Sequence, residues 1–195
     1  MMESIIRRMK AEEFSEIYNC IERDFATGEY APYEVLYQQL QKGVQEGLIL
    51  CDGERNVAYA ICSGGHTNGY VLISLLAVYE EFRGNGIGST FLKELSRIYS
   101  DKQGIIVEVE RPEDSPTQEE SLTRAKRIKF YEKAGFYLIP NINYSIWDIP
   151  MHLMVLSQPA SIRTTKERIG QIMYDIYLEL MGEHYIHKMK FKTVD

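Results

Sequence analysis

Residues Arg83-Gly84-Asn85-Gly86-Ile87-Gly88 constrain this chain more than any other stretch. They follow an apolar run, Val71-Leu72-Ile73-Ser74-Leu75-Leu76-Ala77-Val78, and precede apolar residues at helical spacing, Ile87, Phe91, Leu95 and Ile98. The local order is strand, glycine-rich turn, helix. A turn without side chains lets backbone N–H groups approach an anion closely, and the helix behind it adds the positive end of its dipole. Arg83 places a fixed positive charge beside the turn. The pattern reads as a phosphate cradle. The rival reading is a flexible glycine turn between two elements.

Three glycine-rich phosphate motifs compete for this stretch. A P-loop requires Gly-Lys-Ser/Thr, which the chain lacks. A dinucleotide fingerprint requires its third glycine where Ser89 stands, and an acidic residue ending a strand about 20 residues later; neither is present. The segment Leu76-Ala77-Val78-Tyr79-Glu80-Glu81-Phe82-Arg83-Gly84-Asn85-Gly86-Ile87-Gly88 resembles the pyrophosphate loop of the GNAT acyl-CoA N-acyltransferases. Two further segments resemble that family in the right order: Ile105-Ile106-Val107-Glu108-Val109, and Phe130-Tyr131-Glu132-Lys133-Ala134-Gly135-Phe136.

The resemblance spans about residues 1–157 and implies an α+β fold. Its centre would be a mostly antiparallel, splayed sheet flanked by helices, with an added C-terminal helix. The domain organisation expected is a GNAT-like domain over 1–158 and a helical extension over 159–195. The resemblance implies acetyl-CoA as co-substrate, with no metal. Leu76, Ala77 and Val78 would pair with the pantetheine arm, and the Val78 N–H would polarise the thioester carbonyl. Arg83, Gly84, Asn85, Gly86, Ile87, Gly88 and Ser89 would hold the pyrophosphate. Arg124 stands where the family commonly has a cofactor-contacting Asn, and Arg127 where a small residue is common. Both could reach phosphate or be solvated.

Acyl transfer to an amine needs the amine neutral. Glu108 and Glu110 are the candidate bases, and strand alternation puts them on one face, where each would raise the other's pKa. Glu108 occupies the place of a glutamate in the motif strand of ribosomal-protein N-terminal acetyltransferases, which this strand resembles. The rival reading is a pair of surface or ion-paired carboxylates. Tyr131 is the candidate acid beside the departing sulfur, its rival role being a core aromatic. By resemblance the acceptor is lined by the loop from Asp24 to Tyr33 and by Asn141 to Trp147. Phe25, Tyr30, Tyr33 and Tyr144 are the residues expected to face it, since an aromatic face suits an amine.

The periodicities predict strands at Ile5–Met9, Leu48–Cys51, Val57–Cys62, Tyr70–Val78, Ile105–Glu110, Phe136–Ile139 and Met151–Leu156. Helices are predicted at Ala11–Phe25, Tyr33–Gln45 (closed by Gly47), Gly86–Ser100 and Glu119–Ala134. In the tail, Ile169, Ile172, Met173, Ile176, Tyr177, Leu180 and Met181 form one helical stripe. It requires cover from its own domain or from a second copy, so the chain is expected to be a monomer or a homodimer.

Composition narrows the partners. A net charge of −6 disfavours nucleic acid and suits a cationic acceptor. No apolar run is long enough to span a bilayer, and Met1-Met2-Glu3-Ser4 lacks the pattern of a secretory signal. Cys20, Cys51 and Cys62 fit thiols in a reducing cytoplasm, without His neighbours that would make a nucleophile or a metal site. The function expected is direct transfer of an acetyl group from acetyl-CoA to a primary amine of a small molecule or peptide. The alternative is a non-catalytic acyl-CoA-binding sensor.

Overall fold

The computed structural model describes residues 4–64, 66, 68–158 and 161–194. The expectations that rest on Met1–Glu3, on the start of the tail at Pro159 and on its end at Asp195 lie outside these residues. Among the described residues there are nine strands and five α-helices, forming an α+β fold with an open mixed sheet. No helix among them is long and apolar enough to cross a membrane. Two compact units are present, Met1–Ser63 with Ile73–Ile98, and Gly64–Leu72 with Tyr99–Asp195.

The strand order begins β1 (Ser4–Arg8), β2 (Gln45–Asp52), β3 (Arg55–Gly64), β4 (Tyr70–Val78), of which all but Gly64 and Tyr70–Leu72 belong to the first unit. β1 and β3 both run antiparallel to β2, and a register shift between Leu50 and Cys51 marks a bulge. Helix α1 (Phe14–Asp24) buries Phe14, Ile17, Tyr18 and Ile21 over Ile49, Tyr59, Ile61, Leu75 and Ala77. Just before it, Arg7 donates to both oxygens of Glu13, at 2.8 and 2.5 Å. That hydrogen bonding outweighs burial and holds the Glu13 carboxyl down at about 2.

Helix α2 (Tyr33–Gln41) ends earlier than the periodicity predicts. Gly43, at φ +71°, turns the chain, and Gln45 already pairs with Ser63 in the sheet. Gly47 is therefore a strand residue. A Cβ there would lie 2.8 Å from the Met9 side chain, so the glycine answers a close approach and does not stop a helix. Helix α3 (Ile87–Ile98) buries Ile87, Phe91, Leu92 and Leu95.

In the second unit β5 (Gly104–Glu110), β8 (Ile149–Ser157), β7 (Ile142–Ile146) and β9 (Met189–Thr193) follow one another antiparallel, and β6 (Tyr137–Leu138) also pairs with β8. β7 and β9 are absent from the predicted elements. β7 and β8 meet in a two-residue hairpin whose Trp147 and Asp148 both take positive φ, as a type I′ turn demands. β9 closes the row with exposed Lys190 and Lys192, which suit an edge strand. Helix α4 (Gln118–Lys133) is capped by Thr117, which accepts from the Glu120 N–H at 3.2 Å, and it stops at Gly135 with φ +91°.

The tail forms helix α5 (Ile162–Tyr185), broken at Gly182. Its stripe is covered within the unit: Ile169, Ile172, Met173, Ile176 and Tyr177 pack with Ile106, Tyr144, Leu153 and Val155. Asn68 Nδ2 donates to the Ile172 carbonyl at 3.1 Å, and the Tyr70 hydroxyl meets Thr165 Oγ1 at 2.7 Å. Met173 is 0% exposed. Met173→Ala is expected to cost about 2–5 kcal/mol through lost burial and the cavity left behind, read in urea denaturation. A loss well under 1 kcal/mol would show that α5 is not part of the core.

Candidate functional site

The glycine turn is built by its backbone. β4 ends at Val78, Glu80–Phe82 make one 3-10 turn, and Arg83 is extended. Gly84 (φ +81°) and Gly86 (φ +77°) then take left-handed conformations that other residues rarely adopt. A Cβ at either would meet no atom within 4 Å. α3 starts at Ile87, one residue later than predicted, and the Gly86 carbonyl accepts from the Thr90 N–H at 3.0 Å. The N–H groups of Ile87, Gly88 and Ser89 open the helix and have no intrahelical acceptor. Asn85 braces the turn through its side-chain amide, 3.4 Å from the carbonyls of Phe82 and Arg83.

Arg83 is already occupied. Its Nε donates to the Val78 carbonyl at 3.0 Å and its Nη2 to Asp24 Oδ1 at 2.9 Å. Asp24 also accepts from Arg23 and, at 3.2 Å, from the Tyr59 hydroxyl. Burial, at 5% side-chain exposure, pushes the Asp24 carboxyl up. Hydrogen bonds from Arg23 and Arg83 outweigh burial and leave it below its ordinary value. Along β4, the Tyr79 N–H donates to the Val57 carbonyl of β3. Strand alternation therefore turns the N–H of Val78 and of Leu76 away from β3, while Ala77 faces it.

The first-unit residues expected to face the acceptor lie in an aromatic group. Tyr33 sits 4.9 Å from the Phe14 ring and 5.1 Å from Tyr18, and stacks on Tyr37 at 6.0 Å. Tyr30 meets Tyr18 edge-on at 5.9 Å, and Phe25 packs on the same cluster, directly after α1.

In the second unit Glu108 and Glu110 share a face of β5 but have different partners. Glu108 Oε1 accepts from the Tyr144 hydroxyl at 2.5 Å, and Oε2 from the Tyr177 hydroxyl at 2.7 Å. Burial raises the Glu108 pKa above its ordinary value, and the two phenol hydrogen bonds pull it down without cancelling the rise. Burial also pushes both phenols well above the ordinary tyrosine value, with the Glu108 charge adding to it. The rise in Glu108 comes from burial and not, as strand alternation predicts, from its neighbour Glu110. Glu110 is ion-paired instead, 2.6 Å from Arg124 Nη2 and 3.7 Å from Arg127 Nη1. Arg124 further donates to the Arg111 carbonyl at 3.0 Å.

Tyr144, expected at the acceptor, is 0% exposed. It is paired with Met151 on one side and Phe191 on the other, so strands close over it and its hydroxyl points to Glu108. Tyr131 is 8% exposed, its ring between Phe130 and Phe136, and its carbonyl accepts from the Ala134 and Phe136 N–H groups. Tyr177 and Asp24 are the contacts missed by the sequence argument. Tyr177 belongs to a stripe read only as core, and Asp24 only marked the edge of a loop. Among the described residues, no group of three or more His, Cys, Asp or Glu is arranged to hold a metal ion.

Residues 45–138 match the family model of the acetyltransferase (GNAT) domain. Just under half of the chain is thus similar to the GNAT acetyltransferases. The matched segment contains the glycine turn, Glu108, Glu110, Arg124 and Tyr131; Tyr144 and Tyr177 lie beyond it. Among solved structures, a protein assigned to the GNAT acetyltransferases from Bacteroides thetaiotaomicron superposes with TM-score 0.74 at 20% identity, covering 91% of this chain and 98% of its own. Spermidine N-acetyltransferase from Vibrio cholerae, solved with CoA and spermine, gives 0.61 at 12% identity, covering 80% and 96%. The ribosomal-protein-S18-alanine N-acetyltransferase from Escherichia coli gives 0.58 at 18%, covering 79% and 93%. These likenesses are to the GNAT fold. No curated protein sequence matches the chain significantly.

The half-buried Glu108 carboxylate makes stability pH-dependent. A carboxyl whose folded pKa is raised contributes stability fully below its unfolded value and loses it as pH rises through the folded value. Wild type is therefore expected to lose stability relative to Glu108→Gln as pH rises above about 4.5, the difference levelling off beyond the folded pKa. Urea denaturation of both proteins across pH 4–9 measures it; parallel stability curves would show that Glu108 is not desolvated.

Proposed function

We propose that this GNAT domain transfers an acetyl group from acetyl-CoA directly to a primary amine of a small molecule or peptide. The observation that carries this reading is the open left-handed turn at Gly84 and Gly86, set against the start of α3 inside the family-matched segment. Such a turn offers unobstructed N–H groups to a pyrophosphate. Leu76, Ala77 and Val78 would pair with the pantetheine arm, the Val78 N–H polarising the thioester carbonyl. Arg83 would join the pyrophosphate by exchanging Asp24 for phosphate, and Arg124 is the further candidate on the cofactor side.

Glu108 takes the proton from the ammonium form of the acceptor. Its raised pKa supports this role, because a base works best near the operating pH. The neutral amine then attacks the thioester carbon, the C–S bond breaks, Tyr131 donates a hydrogen bond to the departing thiolate, and the second proton shed by the amide nitrogen goes to that thiolate to give the free thiol. Glu110 is the weaker candidate, since Arg124 and Arg127 already occupy it. Phe25, Tyr30 and Tyr33 would line the acceptor side. Both named relatives above, the spermidine and the S18-alanine enzymes, act on amines, which supports an amine acceptor in general. The buried thiols of Cys51 and Cys62 fit a reducing location such as the cytoplasm.

Thermal-shift measurements with acetyl-CoA, ATP and NAD test the donor. Acetyl-CoA is expected to raise the melting temperature; stabilisation by the nucleotides alone would sink the reading. Thiol release is then followed with spermidine, lysine and an alanine-initiated peptide. With an amine that turns over, Glu108→Gln is expected to lower kcat about 10²–10⁴-fold while the acetyl-CoA thermal shift persists. Tyr131→Phe is expected to lower kcat with acetyl-CoA affinity nearly unchanged. A loss of that affinity would instead make Tyr131 a packing residue.

A further inference from the structure

Tyr144 and Tyr177 reach Glu108 from two elements that lie beyond the family-matched segment. Each phenol serves a different carboxylate oxygen, at 2.5 and 2.7 Å. A carboxylate has about four acceptor positions, so two bonded oxygens still leave room for an incoming proton. The carboxylate is thereby fixed in orientation. Across the ladder from Glu108 stands Leu153 of β8, which is apolar and buried. Among the described residues, the titratable groups that bond the carboxylate are Tyr144 from β7 and Tyr177 from α5, and Glu110 of β5 lies on the same face, paired with Arg124 and Arg127.

Both phenols are buried and stay protonated at neutral pH, so they act as permanent donors. Donors to the ionised form favour it against the cost of burial. Without them, a carboxylate in this layer would remain protonated to a higher pH and would not accept a proton from an amine. Tyr177 is held in place by the same core as Ile169, Ile172, Met173 and Ile176, so its hydroxyl has little freedom to leave Glu108.

We infer that Tyr177, acting with Tyr144, is a positioning residue for the catalytic carboxylate, and that the C-terminal helix is therefore part of the catalytic machinery. This rests on the reading of Glu108 as the base. Helix α5 would then do two things with one face: its aliphatic stripe closes the core, and its one phenol on that stripe orients the proton acceptor.

The test is an NMR titration of protein labelled with 13Cδ-glutamate, the Glu108 signal being identified by its loss in Glu108→Gln. The same proteins are assayed for kcat/KM against pH by thiol release from acetyl-CoA, with spermidine, lysine or the alanine-initiated peptide as acceptor. In Tyr177→Phe the Glu108 midpoint is expected to move to higher pH. The acid limb of kcat/KM should move with it by the same amount, while KM for acetyl-CoA stays put. Tyr144→Phe removes the other donor and is expected to move the midpoint in the same direction, which covers the case in which Tyr177→Phe does not fold.

A midpoint that does not move in the variant that folds overturns the inference. A midpoint that moves while the acid limb does not makes the phenols structural, and overturns it as well. Failure of the base reading looks different: Glu108→Gln would turn over as fast as wild type.

Discussion

A carboxylate placed in an apolar layer must be neutralised, paired or hydrogen-bonded. The second unit is organised around that requirement at Glu108. β5 carries the carboxylate into the layer, β7 brings Tyr144, and the tail helix α5 brings Tyr177. Each phenol is a large apolar body with one polar tip, so it fills the core and satisfies the charge together. The neighbouring carboxylate, Glu110, lies two residues on along the same face and meets the same requirement differently, through Arg124 and Arg127. Two glutamates of one strand thus enter different chemistry because of what packs over them.

The first unit shows a comparable economy around Asp24. This residue ends α1 and gathers Arg23, Arg83 and Tyr59. Arg83 also binds the carbonyl of the last β4 residue, so one guanidinium ties the end of a helix to the end of a strand. A phosphate arriving at the turn would compete with Asp24 for that charge.

What was legible in the sequence was local. The β4–turn–α3 unit, the Gly135 stop and the stripe of α5 follow from spacing and from residues that permit only certain dihedrals. The parts that escaped depend on distant partners. The end of α2 was misplaced because Gly47 answers to Met9, just past the end of β1. β9 is a short alternation, Met189-Lys190-Phe191-Lys192, that means little until Tyr144 and Phe191 are seen as partners. Glu108 and Glu110 could be placed on one face by alternation, but the sign and cause of their environment could not. Tyr144 stands in a segment that the resemblance places at the acceptor, and the strands on both sides that bury it are not legible from spacing.

The turn at Gly84 and Gly86 carries a last consequence. Around both positions there is open space where a Cβ would stand, yet both need a left-handed backbone. The restriction there falls on handedness and leaves volume unconstrained. A residue of mirror-image chirality, such as D-alanine, would meet both the space and the dihedral angles. Glycine, the one achiral residue among the twenty, meets this demand in an L-polypeptide at the least steric cost.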